Sequence, residues 1–166
     1  MHEVEAYIGL GSNLLDPQAQ VSSAMQELNS IPETNVLKVS SLYISKPMGP
    51  SDQADYVNAV AKISTNLSPE RLLAELQGIE QSHRRQRNSQ RWGPRTLDLD
   101  IILFGDIQMD SKTLQIPHYG VTEREFVLIP LQELQADLII PGKGEVEELI
   151  AELPPYELSR IENNNG

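Results

Sequence analysis

Residues 91–100 read Arg-Trp-Gly-Pro-Arg-Thr-Leu-Asp-Leu-Asp, and the apolar run Ile101-Ile102-Leu103-Phe104 follows at once. Two arginines, a tryptophan and two alternating carboxylates in ten positions suit a polyphosphate and metal site laid along a loop and the strand that it feeds. If the segment from Leu97 is a strand, Asp98 and Asp100 leave it on one face, about 7 Å apart at Cα. Leu97, Leu99 and Ile101 then face the core. Two carboxylates so placed repel one another, and one or two carboxylates plus substrate phosphates are the oxygen ligands that Mg²⁺ takes.

Arg84, Arg85, Arg87, Arg91 and Arg95 supply five of the thirteen basic residues, and no acidic residue lies between Glu80 and Asp98. The formal net charge is −11, so a long nucleic acid would be repelled by the overall field. A compact basic patch on an acidic chain matches a small polyanion such as a nucleoside triphosphate. Zero cysteines exclude disulfides and thiolate chemistry, and the histidines at 2, 83 and 118 have no metal-ligand spacing. A metal here is expected to be held by oxygen.

Two tempting motifs fail. Gly9-Leu10-Gly11-Ser12-Asn13-Leu14 opens like a dinucleotide fingerprint but has Leu14 at the third glycine. Gly142-Lys143 resembles the end of a phosphate-binding loop, yet Gly144 replaces the Mg²⁺-binding hydroxyl and Asp137 stands at the first glycine. Any triphosphate must therefore be held by arginine side chains and metal.

The elements that must position these groups follow from periodicity and turn signals. Residues 7–10 predict a strand. Asp16 and Pro17 open a helix with Val21, Met25 and Leu28 on one face. Strands are expected at 36–43 and 56–65, separated by a turn-rich stretch through Lys46, Pro47 and Met48. Ser68 and Pro69 begin a second helix with Leu72, Leu73, Leu76 and Ile79 on its apolar face. The order β-α-β-β-α-β predicts an α+β protein, a ferredoxin-like sheet with helices on one face. Beyond it, 114–117 reads as a short strand, Thr122 with Glu125 as the capping box of a third helix, and 145–153 as a fourth. Residues 1–153 are expected to form one domain and 154–166 a polar, flexible tail. No apolar run reaches the roughly 18 residues of a spanning helix, and the acidic N-terminus resembles no targeting segment, so a cytoplasmic protein off the membrane is expected.

The 91–102 segment, with Tyr7-Ile8-Gly9-Leu10-Gly11-Ser12-Asn13 before it and Ile116-Pro117-His118-Tyr119 after it, closely resembles 6-hydroxymethyl-7,8-dihydropterin pyrophosphokinases of folate biosynthesis. The resemblance covers nearly the whole chain and agrees with the ferredoxin-like order. It implies transfer of pyrophosphate from ATP to the pterin hydroxymethyl oxygen, with release of AMP and two Mg²⁺ ions at Asp98 and Asp100. ATP and the reduced pterin are the expected partners, with no nucleic acid, no membrane, and a monomer.

By the same resemblance, Arg85, Arg95 and His118 join the two aspartates in catalysis. Gln77, Glu80, Arg87, Trp92, Arg95, Ile101, Lys112, His118, Tyr119 and Arg124 are expected at the nucleotide. Tyr56 and Phe126 match a pair that stacks the flat pterin, and Asn58 matches an amide that reads its edge. Gly11, Ser45, Pro47, Met48, Trp92 and Asp98 complete that pocket. Thr113 stands where some members carry an arginine, which leaves Lys112 as the nearest cation, and Lys46 and Met48 also depart from the pattern. Two other classes remain open on the residues alone. A palm-type nucleotidyltransferase would release pyrophosphate, and a non-catalytic ferredoxin-like module would bind ATP without turnover.

Overall fold

The computed structural model describes residues 3–13, 16–45, 56–86 and 97–161, excepting the side chains of 84–86. Strand β1 (Val4–Ser12) leads to helix α1 (Pro17–Leu28), then β2 (Thr34–Val39), β3 (Tyr43–Ser45), β4 (Tyr56–Thr65), α2 (Pro69–Gln86) and β5 (Leu97–Phe104). The remainder comprises β6 (Met109–Asp110), β7 (Gln115–Ile116), a 3₁₀ turn (Val121–Glu123), α3 (Glu125–Leu134), β8 (Ile139–Ile140), β9 (Gly144–Glu145), α4 (Val146–Ala151) and β10 (Leu158–Arg160). Among the described residues this is a mixed α/β fold with four helices and an antiparallel six-stranded sheet, ordered β10-β3-β4-β1-β5 with β2 also on β4.

The two helices of the β-α-β-β-α-β order share one face of the sheet, as expected, and the additional helices α3 and α4 cover the other. Val21, Ala24 and Leu28 of α1 and Leu72 and Leu76 of α2 pack with Ile8, Leu10, Ile63, Leu97 and Ile101 on one side. On the other, Val127, Leu128 and Leu131 of α3 and Val146 of α4 cover Tyr7, Val60, Ile102 and Leu103. The cause is visible in β5, where alternation gives way to a continuous apolar run, as it must when both faces are buried. A bulge assists. Tyr7 pairs with Leu103 but Ile8 with Ile101, leaving Ile102 as the extra residue, so Ile102 and Leu103 both join the second layer. Each buried Leu or Ile side chain contributes about 1.5–3 kcal/mol, so truncating one from either layer weakens the sheet that carries the aspartates.

Local starts and stops also differ from the sequence reading. Asp16 sits in the left-handed region (φ 59°, ψ 61°) and makes no side-chain cap; its carbonyl accepts the Gln20 N–H instead. Ser68 does cap α2, its Oγ accepting the Arg71 N–H at 3.2 Å. The strand expected at 36–43 is broken at Ser40, whose N–H donates to the Val60 carbonyl while its Oγ accepts the Val60 N–H. A side chain there replaces one rung of the ladder.

Thr122 does not cap the third helix. Fully buried Val121 draws the chain into a 3₁₀ turn first, and α3 begins only after Arg124, whose carbonyl accepts the N–H groups of Val127 and Leu128. Within the stretch expected to be a tail, β10 pairs with β3, and the Ile161 N–H donates to the Leu42 carbonyl. Partly buried Ile161 packs on the first layer, the apolar anchor that the polar composition concealed. Glu133 of α3 ties this edge together, accepting Ser41 N–H and Oγ–H (2.8 Å to Oε2) and the Tyr43 hydroxyl at 2.7 Å, with Arg160 at 3.6 Å.

Candidate active site

The alternation of β5 sends Leu97, Leu99 and Ile101 into the first layer and leaves Asp98 and Asp100 half-buried on the opposite face. Register then decides what lies beside them. Gly11 of β1 pairs with Asp98 on one side and Asn58 of β4 on the other, and Gly9 pairs with Asp100 and Val60. Two glycines at i and i+2 strip side chains from this face of the central strand, and a Cβ at Gly11 would lie 3.0 Å from Asn58 Oδ1. The result is a bare floor between a pair of carboxylates and a buried amide.

A cavity of about 220 Å³ opens over that floor. Asn58 Nδ2 donates to Ser45 Oγ at 2.6 Å, which fixes the amide, and both residues are buried. Tyr56 stands at one wall, and Arg124, Phe126 and Val127, from the start of α3, close the cavity opposite the sheet. Thus Gly11, Ser45, Tyr56, Asn58, Asp98 and Phe126, expected at the pterin, line one space with Asp100, expected at the metal, and Arg124, expected at the nucleotide. Gly9, Ile102 and Val127 line it too and were missed. Gly9 was readable, because glycine at alternate strand positions empties a face; Val127 was not, because it depends on how α3 folds back.

Electrostatics at the site follow from this crowding. Burial, then the neighbouring Asp98 carboxylate, push the Asp100 carboxyl up to about 6, against a smaller opposing pull from Arg124. Burial and Arg124 push His118 down to about 4, so the ring is neutral near pH 7. Its Nδ1 accepts the Gly120 N–H at 3.1 Å, which places the remaining proton on Nε2, 3.9 Å from Asp100 Oδ1. The His118 N–H in turn donates to the Ile102 carbonyl at the bulge, so the β5 irregularity seats this histidine beside the aspartates. Tyr119 stacks on His118 at 4.5 Å between centroids and is 65% exposed.

The described ones among the other expected contacts lie outside this lining. Ile101 turns its side chain into the core, as the alternation requires. Gln77 and Lys112 are exposed. Glu80 accepts the Leu99 N–H at 2.7 Å, so it braces β5 from α2 midway between the two aspartates. Pro47, Met48, Arg87, Trp92 and Arg95 lie outside the described residues, as do Lys46, Arg91 and the side chains of Arg84 and Arg85. Among the described residues no cluster of three or more His, Asp or Glu side chains could by itself hold a metal. The two carboxylates still fit Mg²⁺, which commonly takes the rest of its shell from phosphate and water.

A family model described as 7,8-dihydro-6-hydroxymethylpterin-pyrophosphokinase matches residues 7–136. The chain belongs to that family. It is 46% identical over 158 residues to the 2-amino-4-hydroxy-6-hydroxymethyldihydropteridine pyrophosphokinase of Haemophilus influenzae, covering 95% of this chain and 98% of that protein. Identity to the enzyme of the same name from Pseudomonas aeruginosa is 47% over 155 residues, covering 93% and 95%. A similar structure is an HPPK-DHPS protein in complex with substrates (TM-score 0.71, 10% identity, 91% of this chain). Another is Plasmodium falciparum wild-type HPPK-DHPS with pterin and p-hydroxybenzoate (TM-score 0.68, 13% identity, 91%). This chain spans 43% of each of those two chains, and the likeness at such identity concerns the fold.

Proposed function

We infer that this pyrophosphokinase transfers the β,γ-diphosphate of ATP to the hydroxymethyl oxygen of 6-hydroxymethyl-7,8-dihydropterin in folate biosynthesis. The hydroxymethyl oxygen forms a bond to the β-phosphorus as the bond from that phosphorus to the α-phosphate oxygen breaks. AMP leaves and the hydroxyl proton is released. The observation that carries the site assignment is the register of three strands, which sets Asp98, Gly11 and Asn58 in one row under a single cavity.

In this reading the pterin lies on the glycine floor between Tyr56 and Phe126, with Asn58, held by Ser45, meeting its polar edge. Asp98 and Asp100 hold Mg²⁺, two ions by family resemblance. The cation would offset charge on the triphosphate. Neutral His118 offers its Nε2–H to a phosphate oxygen beside Asp100, and Tyr119 and Arg124 extend the same wall toward the nucleotide. Glu80 keeps the strand between the aspartates in place. Arg85 and Arg95 act on the phosphates by family resemblance, as do Arg87 and Trp92 as contacts.

We read the sheet as ferredoxin-like, with β2 and β3 as the two halves of one interrupted strand, a reading supported by the order β3-β4-β1-β5. In this view the pyrophosphokinase unit, expected over 1–153, extends through β10 and Ile161, and the protein is a cytoplasmic monomer. No described helix is long and apolar enough to cross a membrane. The palm-type transferase and the non-catalytic module are not favoured by relatives named as pyrophosphokinases.

Incubation with ATP, Mg²⁺ and the reduced hydroxymethylpterin, with nucleotide products resolved, tests the reading. AMP and diphosphorylated pterin in equal amounts are expected. ADP or inorganic pyrophosphate as the main product would defeat it.

A further inference from the structure

The Arg124 guanidinium rests on two aromatic rings, its Cζ 5.2 Å from the Tyr119 centroid and 5.8 Å from that of Phe126. Its Nη2 also donates to Tyr119 Oη at 3.3 Å. Gly120 sets this resting place. A Cβ at Gly120 would meet Arg124 Nε at 2.5 Å and Cζ at 2.9 Å, whereas the backbone there (φ −99°, ψ 7°) is one that alanine also adopts. The glycine serves the arginine side chain rather than a turn.

We propose that Gly120 lets Arg124 rest over Phe126, so that the guanidinium competes for the ring on which the pterin stacks until nucleotide phosphates draw it away. This rests on the assignment of Phe126 to pterin stacking. Arg124 and Phe126 line the same cavity, so a pterin approaching that ring meets the guanidinium. A cation over a solvent-exposed ring is weakly held, and Tyr119 is largely exposed. Charge-assisted, bidentate bonds to phosphate are stronger, so a bound triphosphate wins the guanidinium. The two substrates are thereby coupled, each raising the affinity of the other by the same factor.

Equilibrium binding of the reduced hydroxymethylpterin to the full chain tests this, with and without Mg²⁺ and a non-hydrolysable ATP analogue. In Gly120→Ala the new methyl evicts the guanidinium without a backbone change. Pterin affinity without nucleotide should rise about three- to tenfold, and the enhancement by the analogue should shrink by the same factor. In an Arg124→Met background Gly120→Ala should change neither quantity. Unchanged nucleotide-free affinity in Gly120→Ala, or the same change with and without Arg124, overturns the proposal. Phe126→Ala separates the two readings. If it weakens pterin binding while Gly120→Ala leaves the coupling intact, only the parked arginine falls; if it does not, the stacking assignment falls with it.

Discussion

Removing the charge at Asp100 should separate stability from activity, because burial and Asp98 hold its carboxyl at about 6 against an ordinary 3.8. A raised folded pKa means that the stability linked to this proton is present below 3.8 and lost as pH rises through about 6. At pH 8 the cation-free protein therefore carries an unfavourable carboxylate. The side chain keeps 45% of its surface open to water even though protein atoms crowd it, so screening trims the cost to about 1 kcal/mol or less. Asp100→Asn should melt higher than the parent at pH 8 without Mg²⁺, match it at pH 3.5, and show no turnover. A variant that melts lower at pH 8 would mean that the carboxylate is satisfied without a cation. Phe126 offers the complementary case. Phe126→Ala should cost about 1–3 kcal/mol in pterin binding, through lost stacking and burial, with little change for ATP in calorimetric titrations. Equal losses for both ligands would make Phe126 a packing residue.

Elements differ in how much of their placement is local, which explains what the sequence disclosed. Asp98 and Asp100 share a face because strand periodicity needs no partner, and the Ser68 cap of α2 is equally local. The break at Ser40 depends on a rung supplied by Val60, and the delayed start of α3 depends on a cavity for Val121. Neither partner is near in sequence. The second helical layer was concealed for the same reason, although the continuous apolar half of β5 was its trace. Glu133 shows such a long-range tie at work, since α3 reaches Ser41, Tyr43 and Arg160 through one carboxylate. Burial pushes that carboxyl up, but the bonds from Tyr43 and Ser41, with Arg160 nearby, more than reverse it and leave it below the usual range. A depressed folded pKa contributes stability above the unfolded value that is lost as pH falls through the folded one. Glu133→Ala should therefore cost about 1–3 kcal/mol in urea unfolding at pH 7, and the gap to the parent should narrow in acid below the usual carboxylate range. A gap that persists unchanged to pH 2.5 would assign the loss to packing alone.

At the scale of the whole molecule, the same fold serves both as a separate chain and as part of longer ones. This chain spans 43% of the HPPK-DHPS chains that share its fold. The end of the pyrophosphokinase unit is therefore a physical question. Composition alone ends it at Leu153, yet β10 and Ile161 lie beyond that point and bind the outer edge of the sheet. That edge bears on the site, because β3 is held between β10 and β4 and ends in Ser45, which fixes Asn58. A chain ended at Leu153 would lose the Arg160 contact to Glu133 and leave β3 exposed along one side. The expected outcome is a melting point lower by about 3–6 °C, corresponding to one or two kcal/mol. Pterin affinity should fall several-fold as Asn58 loses its fixed partner, while ATP binding, which is assigned to the β5 and His118 side, should change much less. Melting curves and separate titrations with each ligand decide it. A shortened chain with the parent's melting point and pterin affinity would make residues 154–166 the dispensable tail that their composition suggests.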